Sequence, residues 1–88
     1  MSPLRHETRI GIIDYGMGNL GSVTNALRFL GYDPLVSGKP ETLANCHGFV
    51  LPGVGAFDEA MKRLNQSGLV DALDQWVRQE KRPFIGIC

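Results

Sequence analysis

A cysteine at the end of an apolar segment is the residue of this chain best suited to covalent chemistry. Cys88 follows Phe84-Ile85-Gly86-Ile87, a short apolar run typical of a buried strand. A tight turn from such a strand into a helix exposes the side chain at the turn, as in a nucleophile elbow. The helix N-terminus then stabilises a thiolate and lowers the thiol pKa from its ordinary value of about 8.5. Cys88 is therefore a candidate nucleophile, with an inert core cysteine as the alternative.

A glycine-rich turn after another apolar segment could supply a second part of such a site. Phe49-Val50-Leu51 predicts a strand, and Pro52-Gly53-Val54-Gly55 ends it abruptly. Glycines on both sides of Val54 allow backbone N–H groups to turn toward a ligand, as in an oxyanion hole. Gly53, Val54 and Gly55 are thus candidate substrate-binding residues. The alternative is an ordinary tight turn.

A further glycine-rich turn, Asp14-Tyr15-Gly16-Met17-Gly18-Asn19-Leu20-Gly21-Ser22, lies between a predicted strand and a predicted helix. N–H groups at such a place can bind an anion. The glycines at 16, 18 and 21 have the spacing of the dinucleotide fingerprint. The acidic residue expected about twenty residues later is not clearly present, because Asp33 lies early. This turn alone therefore does not predict a dinucleotide site.

The remaining cysteine and the two histidines indicate no further site. Cys46 and Cys88 lack the Cys-x-x-Cys spacing, so we expect neither a disulfide framework nor a metal site. His47 is adjacent to Cys46, but neighbours on an extended segment point to opposite faces, which disfavours a Cys–His pair. His6 lies in a polar leader. No cofactor is predicted.

Strand-like and helix-like segments alternate along the chain. The predicted strands are Arg9–Asp14, Tyr32–Val36, Phe49–Leu51 and Phe84–Ile87. Helical spacing connects Leu20, Val23, Leu27 and Leu30, then Ala60, Met61 and Leu64, then Leu69, Leu73, Trp76 and Val77, with a brief turn within 37–45. Gly31 and Gly68 mark helix ends, and Pro34 places the second strand at a sheet edge or at its own start.

This alternation predicts an open α/β sheet with mainly parallel strands and helices on both faces. Ligands in such sheets bind at the carboxyl ends of the strands. The three segments discussed above, Asp14–Asn19, Pro52–Gly55 and Cys88, all follow predicted strands. We therefore expect them to meet at one edge.

Composition excludes several function classes. The chain has 88 residues, nine basic and nine acidic, so its formal net charge is zero and no basic face for nucleic acid is indicated. No apolar run approaches the ~20 residues that span a bilayer, and residues 1–8 lack the apolar segment of a secretory signal. We expect a cytoplasmic protein.

Three stretches together carry a family resemblance: Ile10–Leu20, Leu51–Phe57 and Pro83–Cys88. They resemble the glutaminase subunits of imidazole glycerol phosphate synthases, in the class I glutamine amidotransferase family. The Asp-Tyr-Gly-Met-Gly-Asn turn is the most discriminating part. The resemblance implies a flavodoxin-like fold, with 9–88 as the N-terminal part of a single amidotransferase domain, through its fourth strand.

The resemblance also implies a reaction and a partner. Cys88 would attack the side-chain amide of glutamine, releasing ammonia and then glutamate. The ammonia would pass to a (β/α)₈ cyclase subunit in a heterodimer, for histidine biosynthesis. Gly53 and Val54 would lie on the oxyanion strand, and Tyr15, Gly16, Met17, Gly18 and Asn19 would lie toward the partner.

One departure from the family keeps alternatives open. The family completes its triad with a histidine and a glutamate from far downstream, and neither His6 nor His47 matches that histidine. One alternative is another flavodoxin-like cysteine hydrolase, with Asp14 near the thiol. The other is a non-catalytic module that binds phosphate on the turn from Gly16 to Ser22. Release of glutamate from glutamine separates the amidotransferase from both.

Overall fold

Four parallel strands form one sheet in the computed structural model, which describes residues 7–16, 18–53 and 57–87. The strands are β1 (Arg9–Ile13), β2 (Asp33–Ser37), β3 (Gly48–Pro52) and β4 (Phe84–Ile87). Their order in the sheet is β2-β1-β3-β4. The predicted open, parallel α/β sheet is confirmed.

Helices connect the strands. They are α1 (Leu20–Phe29), α2 (Pro40–Leu43), α3 (Phe57–Ser67) and α4 (Leu69–Leu73), and α4 continues as a π-helix over Asp74–Gln79. Gly31 (φ 92°) and Gly68 (φ 77°) adopt the left-handed conformation, which glycine tolerates best. Gly31 ends α1 and Gly68 separates α3 from α4, as the sequence predicted.

The position of β2 explains its proline. The Asp33 N–H donates to the Thr8 carbonyl at 3.1 Å, so this side of β2 faces β1. Successive backbone groups along a strand point to opposite sides, which turns the nitrogen of Pro34 toward the open edge. The missing N–H therefore breaks no bond between β1 and β2. Pro34 predicted a sheet edge or a strand start, and in the described part of the chain it lies near the start of an edge strand.

The main core lies between one face of the sheet and the helices α2 to α4. The Phe49 and Trp76 rings stack there, with centroids 4.9 Å apart and an interplanar angle of 13°. The buried cluster consists of Ile13, Tyr15, Leu43, Cys46, Phe49, Leu64, Leu69 and Trp76. Helix α1 covers part of the other face, where Val23 and Leu27 line an apolar cavity together with Val50. Helices thus occupy both faces.

Strand β4 forms one edge of the sheet in the described part of the chain, and its side chains are exposed. Ile85 retains 61% of its accessible surface. Phe84 and Ile87 are also exposed.

Among the described residues, no helix has the length and apolar character needed to cross a membrane.

Close packing around Gly11 gives a prediction about stability. A Cβ at Gly11 would lie 2.9 Å from Leu43 Cδ2 and 3.1 Å from Cys46 Sγ. Overpacking of this kind costs about 1–3 kcal/mol, so Gly11→Ala should lower the free energy of unfolding by that amount in urea titrations.

Gly21→Ala is the matched control, because it makes the same chemical change on an exposed helical residue. The nearest atom to its new Cβ would be Asn19 Oδ1 at 3.9 Å. Alanine is the better helix former, so this variant should gain up to about 1 kcal/mol. Equal effects of the two substitutions would contradict the packing described for Gly11.

Candidate active site

Two glycine-containing segments singled out from the sequence meet at the carboxyl edge of the sheet. The parallel register pairs Leu51 with Gly86 and Pro52 with Ile87. The ladder ends with the Gly53 N–H donating to the Ile87 carbonyl at 2.5 Å. The turn after β3 and the residue before Cys88 are therefore direct neighbours, as the predicted edge arrangement requires.

This bond limits which backbone N–H groups could stabilise an oxyanion. The Gly53 N–H is already committed to Ile87, so it is not free to donate to a ligand. Donors from this segment would have to come from Val54 and Gly55. Those two residues and Cys88 lie outside the described residues, and their roles stay predictions.

Tyr15 connects the turn after β1 to the end of β3. Its side chain is only 6% exposed, and its hydroxyl donates to the Pro52 carbonyl. The turn from Tyr15 to Asn19 was expected to lie toward a partner, which stays a prediction, and within this turn the Tyr15 side chain lies in the core. Period-two alternation gives the reason, because Gly11, Ile13 and Tyr15 all face the same buried side.

The rest of this turn is held by local contacts. Gly16 (φ 88°) and Gly18 (φ 94°) are left-handed, and Gly16 is exposed. The Asn19 Oδ1 accepts the Ser22 N–H at 3.1 Å, which caps α1. Gly16, Gly18 and Asn19 lie at the same edge as Gly53, whereas Met17 lies outside the described residues.

Two further contacts at this turn were not predicted from the sequence. A Cβ at Gly18 would lie 2.7 Å from the Pro52 Cβ and 2.9 Å from the Pro52 carbonyl oxygen. A Cβ at Gly16 would lie 2.6 Å from the Arg63 guanidinium, which pairs with Glu59 at 2.9 Å. Both glycines therefore permit close approach, and no sequence signal identifies the partners across such distances along the chain.

The hydrogen bonding of the turn does not favour a phosphate site. The Gly16 N–H donates to the Asp14 carboxylate at 3.2 Å, and the Ser22 N–H is capped by Asn19. Two donors that would bind an anion are thus already occupied. The exposed Asp14 carboxylate would also repel a phosphate.

Cys46 and His47 lie at the opposite, amino end of the sheet. The Cys46 side chain is 2% exposed, whereas His47 is exposed and its Nδ1 accepts the Arg9 N–H at 3.0 Å. Burial raises the pKa of the Cys46 thiol above its ordinary value, although Arg9 and Arg82 partly oppose this shift. Cys46 is therefore a poor nucleophile and does not form a pair with His47.

Comparison with known proteins finds similarity to subunits of imidazole glycerol phosphate synthase. It is 47% identical over 79 residues to imidazole glycerol phosphate synthase subunit HisH 2 of Methanococcus maripaludis. It is 51% identical over 79 residues to the HisH subunit of Halalkalibacterium halodurans and 53% identical over 83 residues to that of Symbiobacterium thermophilum. Over the region that it spans, the chain is similar to these HisH subunits.

These HisH relatives are considerably longer than the matched region. The alignments cover 90–91% of this chain but only 36–39% of the relatives. The chain thus spans little more than a third of their length. No family model matches it.

The buried Cys46 and the proposed nucleophile Cys88 should differ in their reaction with an alkylating reagent. With iodoacetamide at pH 7.5, Cys46 should stay unmodified in the folded protein, because burial blocks access and keeps the thiol protonated. Peptide mass spectrometry should find it modified only after denaturation. Cys88 should react in the folded protein. Rapid native-state labelling of Cys46 would contradict its burial.

Proposed function

We propose that this chain is part of the glutaminase subunit of imidazole glycerol phosphate synthase, with Cys88 as its nucleophile. The observation that carries the proposal is the meeting of the two segments at Gly53 and Ile87. That register brings the end of β4 beside the end of β3, and it supports a site formed by the residues that follow the two strands. Similarity to HisH subunits over nine-tenths of the chain supports the same activity.

The proposed reaction has two steps. The Cys88 thiolate attacks the side-chain amide carbon of glutamine, the C–N bond breaks, and the nitrogen takes up a proton and leaves as ammonia. Water then attacks the thioester, which releases glutamate and restores the thiol. Both steps pass through a tetrahedral oxyanion that backbone N–H groups can stabilise, each worth about 3–4 kcal/mol of barrier.

The proton transfers of the proposed triad need a histidine, and among the described residues no histidine lies at this edge. His47 is at the amino end of the sheet and its Nδ1 is occupied by the Arg9 N–H. We therefore propose that the chain works within a longer protein, as the length of its relatives suggests, and that residues 9–88 form the N-terminal part of one amidotransferase domain. A histidine and a glutamate from the remainder would complete the triad.

The proposed partner is a (β/α)₈ cyclase subunit that consumes the ammonia to form imidazole glycerol phosphate in histidine biosynthesis. Gly16, Gly18 and Asn19 lie at the edge where ammonia would form, and Gly16 and Asn19 are exposed. They are the described residues that we propose to face this partner. The relatives are themselves named as subunits of a synthase.

The proposed function is tested by glutamate release from glutamine, using the full-length gene product with and without the cyclase and its ligand, the phosphoribulosyl intermediate that the cyclase would join to ammonia. Cys88→Ala should lower the rate more than about 10³-fold, because the nucleophile is lost. Cys46→Ala is the matched control and should keep the rate within about twofold.

Two results would contradict the proposal. One is glutamate release by Cys88→Ala at the unsubstituted rate, and the other is no release by the unsubstituted protein with its partner and ligand present. Hydrolysis of other amides or esters without glutamine would instead support the flavodoxin-like hydrolase alternative.

A further inference from the structure

The peptide between Pro52 and Gly53 is held on both sides. On the β4 side, its N–H donates to the Ile87 carbonyl at 2.5 Å. On the other side, its carbonyl accepts the Tyr15 hydroxyl. A peptide group fixed through both of its polar atoms cannot rotate without breaking a hydrogen bond.

The Tyr15 hydroxyl takes the place of a missing rung between β1 and β3. The pairing of these strands runs from Ile10 with Gly48 to Ile12 with Val50 and extends no further. Two residues beyond Val50, Pro52 is fully buried and its carbonyl needs a donor. Tyr15 supplies that donor from the chain that continues β1.

We propose that Tyr15 is a positioning residue for the turn that begins at Gly53 and that, in the proposed function, stabilises the oxyanion. This inference rests on the proposed function. Its hydroxyl fixes the Pro52 carbonyl and thereby the direction in which the chain leaves β3 at Gly53. Tyr15 itself contacts no substrate. Tyr15 belongs to the same turn as Gly16 and Asn19, so its side chain links that turn to Pro52.

Packing of the same turn supports this role. Gly18 approaches Pro52 so closely that an added Cβ would meet both its ring and its carbonyl oxygen, at 2.7 and 2.9 Å. The turn therefore touches Pro52 at two points, by the Tyr15 hydroxyl and by the Gly18 backbone. A change in the turn's position would be transmitted to Gly53 as a shift of Pro52.

The test is Tyr15→Phe in the full-length gene product with its cyclase. This variant keeps the ring in the core and removes only the hydroxyl. We expect kcat for glutamate release to fall about 10- to 100-fold, because a small misplacement of a stabilising donor has effects of this size. KM for glutamine should change less than about twofold. Amide hydrogen exchange at Gly53 should become faster.

Tyr32→Phe is the matched control, since Tyr32 precedes β2 at the amino end of the sheet. It should leave kcat and the exchange of Gly53 unchanged. Equal kcat for Tyr15→Phe and the unsubstituted enzyme would overturn the proposal, as would equal losses in both variants or a rise in KM alone.

Failure of the proposed function gives a different result, because the unsubstituted enzyme itself would then release no glutamate. In that case, amide hydrogen exchange at Gly53 tests whether Tyr15 fixes the peptide between Pro52 and Gly53. Faster exchange at Gly53 in Tyr15→Phe than in Tyr32→Phe supports the fixing of this peptide by Tyr15. Equal exchange in the two variants overturns it.

Discussion

The hydrogen bond from the Gly53 N–H to the Ile87 carbonyl, 2.5 Å long, closes the ladder between β3 and β4 at the carboxyl edge of the sheet. Two segments more than thirty residues apart in sequence become neighbours there because parallel pairing fixes their register. A slip of one residue would turn Pro52 and Ile87 to opposite faces and separate the turn from the strand end. The proposed chemistry depends on this register.

The core stabilises the register from one side of the sheet. Phe49 stacks on Trp76, and Arg82 lies over the same indole at 5.8 Å while donating to the Cys46 carbonyl at 3.0 Å. These contacts connect the start of β3 with the chain that leads into β4. At the other end of β3, Tyr15 connects Pro52 to the turn after β1. Strand β3 is therefore held at both ends by side chains from its neighbours.

Much of this arrangement was predictable from local sequence. The β-branched run in β1, the glycines that end α1 and α3, and the proline of an edge strand all act within a few residues, so their effects are visible in sequence. The continuation of α4 as a π-helix was not predicted, because apolar spacing does not reveal which carbonyl each N–H selects. The burial of Tyr15 follows from period-two alternation, but its bond to Pro52 depends on strand register and could not be predicted.

The candidate site, too, was predictable only in part from the sequence. Gly86-Ile87-Cys88 alone left an inert core cysteine as an open alternative, and the resemblance of three separate stretches favoured a nucleophile. The hydrogen bond from the Gly53 N–H to the Ile87 carbonyl could be recognised only from the fold, because it joins segments that are distant in sequence. A glycine-rich turn predicts backbone freedom but not which of its donors remain unpaired.

The central claim is that Cys88 forms a covalent bond with glutamine. The most direct test is to quench the full-length enzyme with acid during turnover, in the presence of its cyclase, and to analyse its peptides by mass spectrometry. We predict a γ-glutamyl thioester on the peptide that contains Cys88 and none on the peptide that contains Cys46. Glutamate production without any adduct on Cys88, or an adduct on another residue, would contradict the account.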